Sequence, residues 1–323
     1  MSLLASIDIG SNTIRLLLGK VKDNRIDEVF SGRKITRLGN GVNQTGRLQD
    51  KNIEASIAVL EKFTSIISRH GVKHIKAVAT SALREASNSD IFIKKAFAHT
   101  GISIEVISGR KEADLILKGI ISSFPYSIPI THKSLFIVDM GGGSTEWIFY
   151  KENYPVDMGS IPIGVIKLAE KIKTDPVSEA DIAGLNKEIL AFLDGLKTRI
   201  GQYIERDTCL IGTAGTFTTI ASIDLRLETY SREKIHLHNL PLNTLQAISK
   251  KLIALPLEER KKVIGLEPER ADLIIPGIQF TINTMEFFKF DELTISDYGL
   301  LEGALLEIQN KKNEKNIPET SQS

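Results

Sequence analysis

The sequence predicts an α/β protein built from two similar units, and three observations carry that prediction. Three strands open the chain, three more open its second half, and helices alternating with single strands follow each set. An apolar strand ends in Asp-x-Gly at both Asp8-Ile-Gly10 and Asp139-Met-Gly141, and each is followed by a small hydroxyl residue and a second apolar strand. Between the two lies Phe124-Pro-Tyr-Ser-Ile-Pro129, whose prolines mark the domain boundary. Paired turns in this order point to duplication of one β-rich unit.

Length and composition agree with two domains. At 323 residues the chain exceeds the usual single domain. Its 42% hydrophobic and 25% charged residues are ordinary for a globular enzyme. A formal net charge of +1 supplies no global basic field, so any polyanion would have to be met by a local patch and is neither implied nor excluded by charge; no nucleic-acid polymer is expected as partner. Cys209 is the single cysteine, which excludes an intrachain disulfide and a cysteine zinc site, and its apolar run reads as a buried, inert thiol. No basic leader and no membrane-length apolar run occur, so the expected location is the cytoplasm, with no membrane association.

In the first unit, strands are expected over 4–9, 13–21 and 25–36, with Lys22-Asp-Asn24 as the turn between the last two. The run from Arg33 to Arg47 is basic and rich in Gly and Asn; it reads as a phosphate-facing loop or a solvated one. Asp50 opens an amphipathic helix that Gly71 stops, and a buried strand follows over 75–79. Thr80-Ser-Ala-Leu-Arg84 reads as a helix start able to hold an anion, with Arg84 about one turn inside. After a strand over 102–107, Ser108 begins a helix with Glu112 in its first turns. Glu112 either complements the helix dipole or serves as a general base.

The second unit opens on Phe136 to Tyr150, an apolar strand, an acidic glycine turn and another apolar strand. Gly141, Gly142 and Gly143 remove every Cβ from that turn, so backbone N–H groups can close around a phosphate. Asp139 and Glu146 flank it, and carboxylates beside an anion loop suit a Mg²⁺ held between acids and phosphate. The alternative is a glycine-rich hairpin with solvated acids. A third strand near 155–159 and helices over 164–172 and 178–200 follow. Gly212-Thr213-Ala-Gly215 joins a strand to a helix, either to meet a phosphate or to permit tight packing. His236 and His238 share one face if 235–240 is a strand; lacking a third ligand, they read as surface or interface residues. Helices are expected over 242–255, 257–263 and 268–288, the last with Arg270 and Asp272 near its start. A strand over 292–296, a helix to about Gln309 and a disordered polar tail complete the chain.

Taken together, the motifs resemble the exopolyphosphatase and guanosine pentaphosphate phosphohydrolase family, of the sugar kinase, Hsp70 and actin superfold. They are Asp8-Ile-Gly-Ser-Asn-Thr-Ile-Arg-Leu16, Arg37-Leu-Gly39, Thr80 to Ala86, Ser108-Gly109 with Glu112-Ala113, Asp139 to Glu146, Gly212 to Thr216, and Arg270-Ala-Asp272 with Asp297-Tyr-Gly299. The resemblance implies two ribonuclease-H-like domains with a cleft between them: 1–124 plus 299–311, and 130–298, with 312–323 as tail. It also implies hydrolytic removal of the terminal phosphate of inorganic polyphosphate, or of guanosine pentaphosphate (pppGpp), with Mg²⁺ as cofactor. Glu112 would activate water, with Glu146 as the second catalytic acid, and Asp139 and Glu146 would hold Mg²⁺. Asp8, Gly10, Ser11, Asn12, Arg84, Gly141 to Gly143, Ser144, Thr145, Gly212, Thr213, Gly215 and Arg270 would line the phosphate pocket. A homodimer is compatible with this reading.

Two departures stand out. The family often carries acids before the catalytic glutamate and an arginine two residues after it, whereas Arg110-Lys111 precede Glu112 here and Asp114 follows. Longer members continue into helical domains that extend the path for a polymer, so processivity on long chains is not implied. A phosphotransferase of the same superfold and a non-enzymatic nucleotide sensor are the rival readings; the retained acids Glu112, Asp139 and Glu146 speak against the sensor.

Overall fold

The computed structural model describes residues 2–124 and 134–315, so the proposed boundary residues 125–129 lie outside it. The chain divides into two compact units, Met1–Pro125 with Gly299–Ser323, and Tyr126–Tyr298.

The first unit holds strands β1 (Leu4–Ile9), β2 (Thr13–Lys22), β3 (Arg25–Ile35), β4 (His74–Ala79) and β5 (Ile104–Val106) in the order β3-β2-β1-β4-β5. The second holds β6 (Ser134–Met140), β7 (Thr145–Lys151), β8 (Tyr154–Ile161), β9 (Thr208–Thr213), β10 (Asn239–Pro241) and β11 (Glu292–Ser296) in the order β10-β11-β9-β6-β7-β8. In each sheet an antiparallel three-strand meander is extended by two strands parallel to its first one. Both units are therefore ribonuclease-H-like, and β10 is the one addition to the shared order.

Local chemistry explains the elements. Asp23 and Asn24 take φ of 49° and 59°, the left-handed pair that a two-residue hairpin requires. All six residues of β1 are buried, as in a central strand covered on both faces. Ala5, Ile7 and Ile9 pack with Ile53, Ile57 and Leu60 of the helix Asp50–Arg69, whereas Leu4 meets Leu301 and Leu305 of the helix Leu300–Lys315. Ser6 keeps that second face shallow and donates its hydroxyl to Leu301 O at 2.9 Å. In the second unit Ser178 and Asp181 form a capping box that starts the helix Glu179–Ile200.

Several expected elements differ. Residues 102–107 form only the three-residue β5, and the helix Ser89–Thr100 fills a stretch that carried no expected element. The segment 268–288 is a short 3₁₀ turn, Pro268–Arg270, followed by the helix Ile274–Phe288. Residues 235–240 are not one strand: His236 follows the turn Arg232–Ile235 and His238 precedes β10. His238 pairs with Asp224 at 2.7 Å, and His236 packs on the Tyr298 ring at 4.7 Å. The last helix continues past Gln309 to Lys315, because its polar end pairs along the helix, Lys311 with Glu307 at 3.2 Å and Gln309 with Asn313 at 2.9 Å. Residues 316–323 lie outside the described ones. Cys209 is half-buried, and burial raises its thiol pKa.

Glu307 ties the last helix to β4 through Lys76 and to the helix Gly109–Ser123 through Lys111. Burial alone would raise its pKa, but hydrogen bonds from Lys111, Lys76 and Lys311 bring it down to about 2. A carboxylate depressed in the folded state contributes stability above its unfolded value, and that contribution disappears as pH falls through the folded one. Between about pH 4.5 and about pH 2, Glu307→Gln is therefore expected to flatten the acid-induced loss of stability relative to the wild type, read as urea midpoints across that range.

Candidate active site

In the first unit the carboxyl ends of β1, β4 and β5 are neighbours, since Thr80 N–H donates to Ile9 O (3.3 Å) and Ile107 N–H to Ala79 O (3.0 Å). Three segments thus emerge at one sheet edge: the Asp8–Asn12 turn, Thr80–Arg84 and Ser108–Glu112. The basic loop belongs there too, because Thr36 and Arg37 N–H both donate to Asn12 O (3.0 Å each) and Gly39 N–H to Ser11 O (2.7 Å). A Cβ on Gly39 would lie 2.7 Å from the Ser11 Cβ, so glycine there permits the close approach.

Glu112 is 6% exposed and accepts a hydrogen bond from Arg84 at 2.9 Å. Arg84 also donates to Ile107 O at 3.0 Å, which pins the guanidinium between two strand ends. A paired arginine offsets the cost of burying a carboxylate. The helix containing Arg84 is only Ser81–Glu85, so the expected helix-dipole contribution is small and Arg84 acts through its own charge. Lys111, expected beside Glu112 as a departure, points to Asp114 (3.1 Å) and Glu307 instead.

Asp8 is held by its cross-strand partner Arg15, whose Nε and a terminal nitrogen both reach Oδ2 (2.9 and 2.7 Å). Among the described residues, Asp8 Oδ1 and Asn12 Oδ1 are buried without a hydrogen-bond partner. Both atoms are acceptors, suited to a cation or a donor rather than to a phosphate oxygen. The backbone suits phosphate better. Gly10 N–H closes the turn on Thr13 O (3.0 Å), and the N–H groups of Ser11 and Asn12 have no partner among the described residues.

The second unit repeats this arrangement. Gly141 N–H closes on Ser144 O (3.0 Å), and the N–H groups of Gly142 and Gly143 have no partner among the described residues. The carbonyls of Gly141 and Gly142 accept from Val165 and Ile166 N–H (3.0 and 2.9 Å), so the turn also caps the helix Val165–Ala169. A Cβ on Gly164 would meet Gly142 O at 2.4 Å, a contact invisible from the glycine triplet itself. None of the three turn glycines takes a positive φ; their use is access, not left-handed backbone.

Asp139 stands opposite both Glu146 and Thr213 in the strand register. Glu146 is 1% exposed and its Oε1 accepts from Ser144 Oγ (2.9 Å) and Ser160 Oγ (2.6 Å). Ser144 thus directs its hydroxyl to the acid, while Thr145 donates to Ile163 O. Ser160 escaped sequence reasoning; its only signal is the β7–β8 register that places it opposite Glu146. Arg15 stands inside the Asp8 to Leu16 motif, but only the β1–β2 register shows that it holds Asp8.

Gly212 and Gly215 have separate reasons to lack a side chain. A Cβ on Gly212 would lie 2.4 Å from the buried Phe217 ring, which is packing; on Gly215 it would lie 2.2 Å from a guanidinium nitrogen of Arg270. Thr216 Oγ1 donates to Met140 O (3.2 Å) and Thr213 Oγ1 to Tyr298 O (3.0 Å), gathering the ends of β6, β9 and β11. Ala214 between them takes φ of 72°, a strained value for a residue with a Cβ. Arg270 also donates to Glu267 at 2.8 Å. Gly215→Ala is expected to push the Arg270 guanidinium aside with little change in Tm, and to raise KM on the order of tenfold, the value of one charge-assisted hydrogen bond. Steady-state kinetics beside a thermal melt check this.

The Ppx/GppA phosphatase family matches residues 18–312. The chain belongs to that family. It is 36% identical to the bifunctional 3-dehydroquinate synthase/phosphatase of Fusobacterium nucleatum across 96% of its own length and 47% of that protein's. It is 28% identical to exopolyphosphatase 2 of Mycobacterium tuberculosis, over 94% of this chain and 98% of that one. The crystal structure of an exopolyphosphatase from Cytophaga hutchinsonii superposes with a TM-score of 0.87 at 29% identity, covering 96% and 98% of the two chains. The chain thus spans about half of its bifunctional relative and nearly all of the two exopolyphosphatases. Among the described residues, no helix is long and apolar enough to cross a membrane.

Proposed function

We propose that this chain is a hydrolase that releases the terminal phosphate of inorganic polyphosphate by attack of water. The carrying observation is the pair of matching turns, each closed by one N–H and each leaving two consecutive N–H groups without a partner among the described residues. Convergent backbone donors bind phosphoryl oxygens and stabilise charge that grows on them in the transition state. The near end-to-end match to proteins named exopolyphosphatase supports polyphosphate as the substrate.

The residues divide the work by their chemistry. Glu112, braced by Arg84, accepts the proton of the attacking water. Arg84 and Arg270 neutralise phosphate charge, and Ser11, Asn12, Gly142 and Gly143 contribute N–H donors. Asp139 and Glu146 would hold Mg²⁺. Two buried carboxylates on facing strands are hard oxygen donors, and Mg²⁺ commonly takes one or two carboxylates with water and phosphate oxygens completing its shell. When bound, Mg²⁺ supplies charge neutralisation at the transferred phosphoryl group. No covalent intermediate is needed, since positioning and electrostatics dominate phosphoryl transfer.

Phosphate release measured with Mg²⁺ on short polyphosphate, long polyphosphate, pppGpp and ATP tests this reading. Release from polyphosphate is expected to exceed that from the other two. Faster release from pppGpp would reassign the substrate, and phosphate transfer from ATP to an acceptor would replace hydrolysis by a phosphotransferase reaction.

A further inference from the structure

We infer that Ser160 is a positioning residue for Glu146 and thereby sets the affinity of the second unit for a divalent cation. This rests on the proposed role of Glu146 as a cation ligand. The geometry behind it is specific. Ser160 lies on β8 directly opposite Glu146 in the strand register, and its hydroxyl reaches Oε1 at 2.6 Å, within the range for a hydroxyl donating to a carboxylate. Ser144, two residues before Glu146 and at the end of the glycine turn, donates to the same oxygen at 2.9 Å.

A carboxylate oxygen accepts about two hydrogen bonds in its plane, so these two hydroxyls together saturate Oε1. Rotating the carboxylate would break both hydrogen bonds, so the pair helps to orient Oε2. Restriction matters here because Glu146 has more rotatable bonds than an aspartate and would otherwise lose that freedom on binding a cation. The two hydroxyls also give hydrogen bonds to a carboxylate that has 1% exposure, which offsets the cost of burying it.

The two donors are not equivalent. Ser144 sits in the anion turn, where its position follows the Gly141 to Ser144 closure. Ser160 reaches Oε1 from β8, outside the turn, and it lies outside the motifs quoted above for the family. Residues that orient a metal's ligands from behind typically change metal affinity by 10–100-fold when removed.

The test compares Ser160→Thr, which keeps the hydroxyl, with Ser160→Val, which has nearly the same shape without it, on the full chain. Mg²⁺ binding is read directly by calorimetry without substrate, with thermal melts and the Mg²⁺ dependence of phosphate release beside it. Ser160→Val is expected to weaken Mg²⁺ binding by about tenfold. The activation curve should move to higher Mg²⁺, kcat at saturating Mg²⁺ should stay close to wild type, and Ser160→Thr should restore binding. Equal Mg²⁺ affinity in the Val and Thr variants overturns the inference, as does loss of affinity that tracks only a fall in Tm common to both. Glu146→Gln is the control that separates the two levels. If it binds Mg²⁺ like the wild type, the cation role of Glu146 fails; if it loses binding while Ser160→Val does not, only the role of Ser160 fails.

Discussion

Replacing Glu112 by Gln is expected to lower phosphate release by about 10²–10⁴-fold while leaving polyphosphate binding within a few-fold of wild type. The substitution is nearly isosteric, and the amide oxygen of Gln can still accept the Arg84 hydrogen bond that the carboxylate accepts at 2.9 Å. Folding and the position of Arg84 should survive. What is lost is the basicity needed to take a proton from water, an effect confined to the transition state and so visible in kcat rather than KM. Arg84→Ala is expected to give the complementary pattern, since it removes the proposed phosphate donor and leaves Glu112 buried at 6% exposure without this partner. Hydrolysis at the wild-type rate by the Gln variant would remove Glu112 from the mechanism.

The largest effect on stability is expected at Gly303. The helices Gly109–Ser123 and Leu300–Lys315 cross with backbone against backbone: a Cβ on Gly303 would lie 1.9 Å from Leu115 O, and one on Gly119 would lie 1.9 Å from Gly299 O. Neither carbonyl can swing aside as a side chain could. Intrinsic helix propensity argues the other way, because Gly to Ala in a helix interior is worth about 1 kcal/mol in favour of Ala. The sign of the result therefore decides which effect wins. Gly303→Ala is expected to destabilise the first unit by about 3 kcal/mol, the upper end for overpacking, as the last helix is displaced and Leu301 and Leu305 lose their cover over β1 and β2. Denaturant unfolding of the two proteins checks it. A more stable Ala variant would mean that the helices are separated by more than these contacts allow.

Both expectations draw on pairs distant in sequence, and the same distinction governs what could be read beforehand. Strands β1 to β3, the helix from Asp50 and the hairpin β6–β7 were legible because alternation, apolar runs and turn residues are local signals. So was the pairing of two Asp-x-Gly turns. The segment at 235–240 misled because alternation of His, Leu and Asn over a few residues does not distinguish a strand from an irregular link, and the link here is shaped by Tyr298 and Asp224. The break at 271–273 has no local signal, because Pro268 reads as a helix start and the apolar run that carries the helix begins only at Leu273.

The site divides in the same way. Residue types named the chemistry: carboxylates after strands, glycines in turns, and arginines near helix starts. They left each glycine's reason open, and the structure separates those reasons. Gly212 yields to a phenylalanine ring, Gly215 to a guanidinium, and Gly164 to the backbone of the glycine turn. They also left open which atoms of Asp8 and Asn12 face the pocket; Asp8 Oδ1 and Asn12 Oδ1 are buried acceptors without a partner among the described residues, beside the N–H groups of Ser11 and Asn12.

By itself, then, the sequence determined two copies of one strand plan, a turn with an acid at the head of each, and a set of acids and arginines suited to phosphoryl chemistry. Only the tertiary structure decided which side chains hold those acids in place. Arg15 stands opposite Asp8, Ser160 opposite Glu146, and Arg84 reaches Glu112 across 28 positions of chain. The physical reason is that a turn's conformation is written in adjacent residues, whereas a carboxylate's orientation depends on donors that strand register and helix packing bring to it.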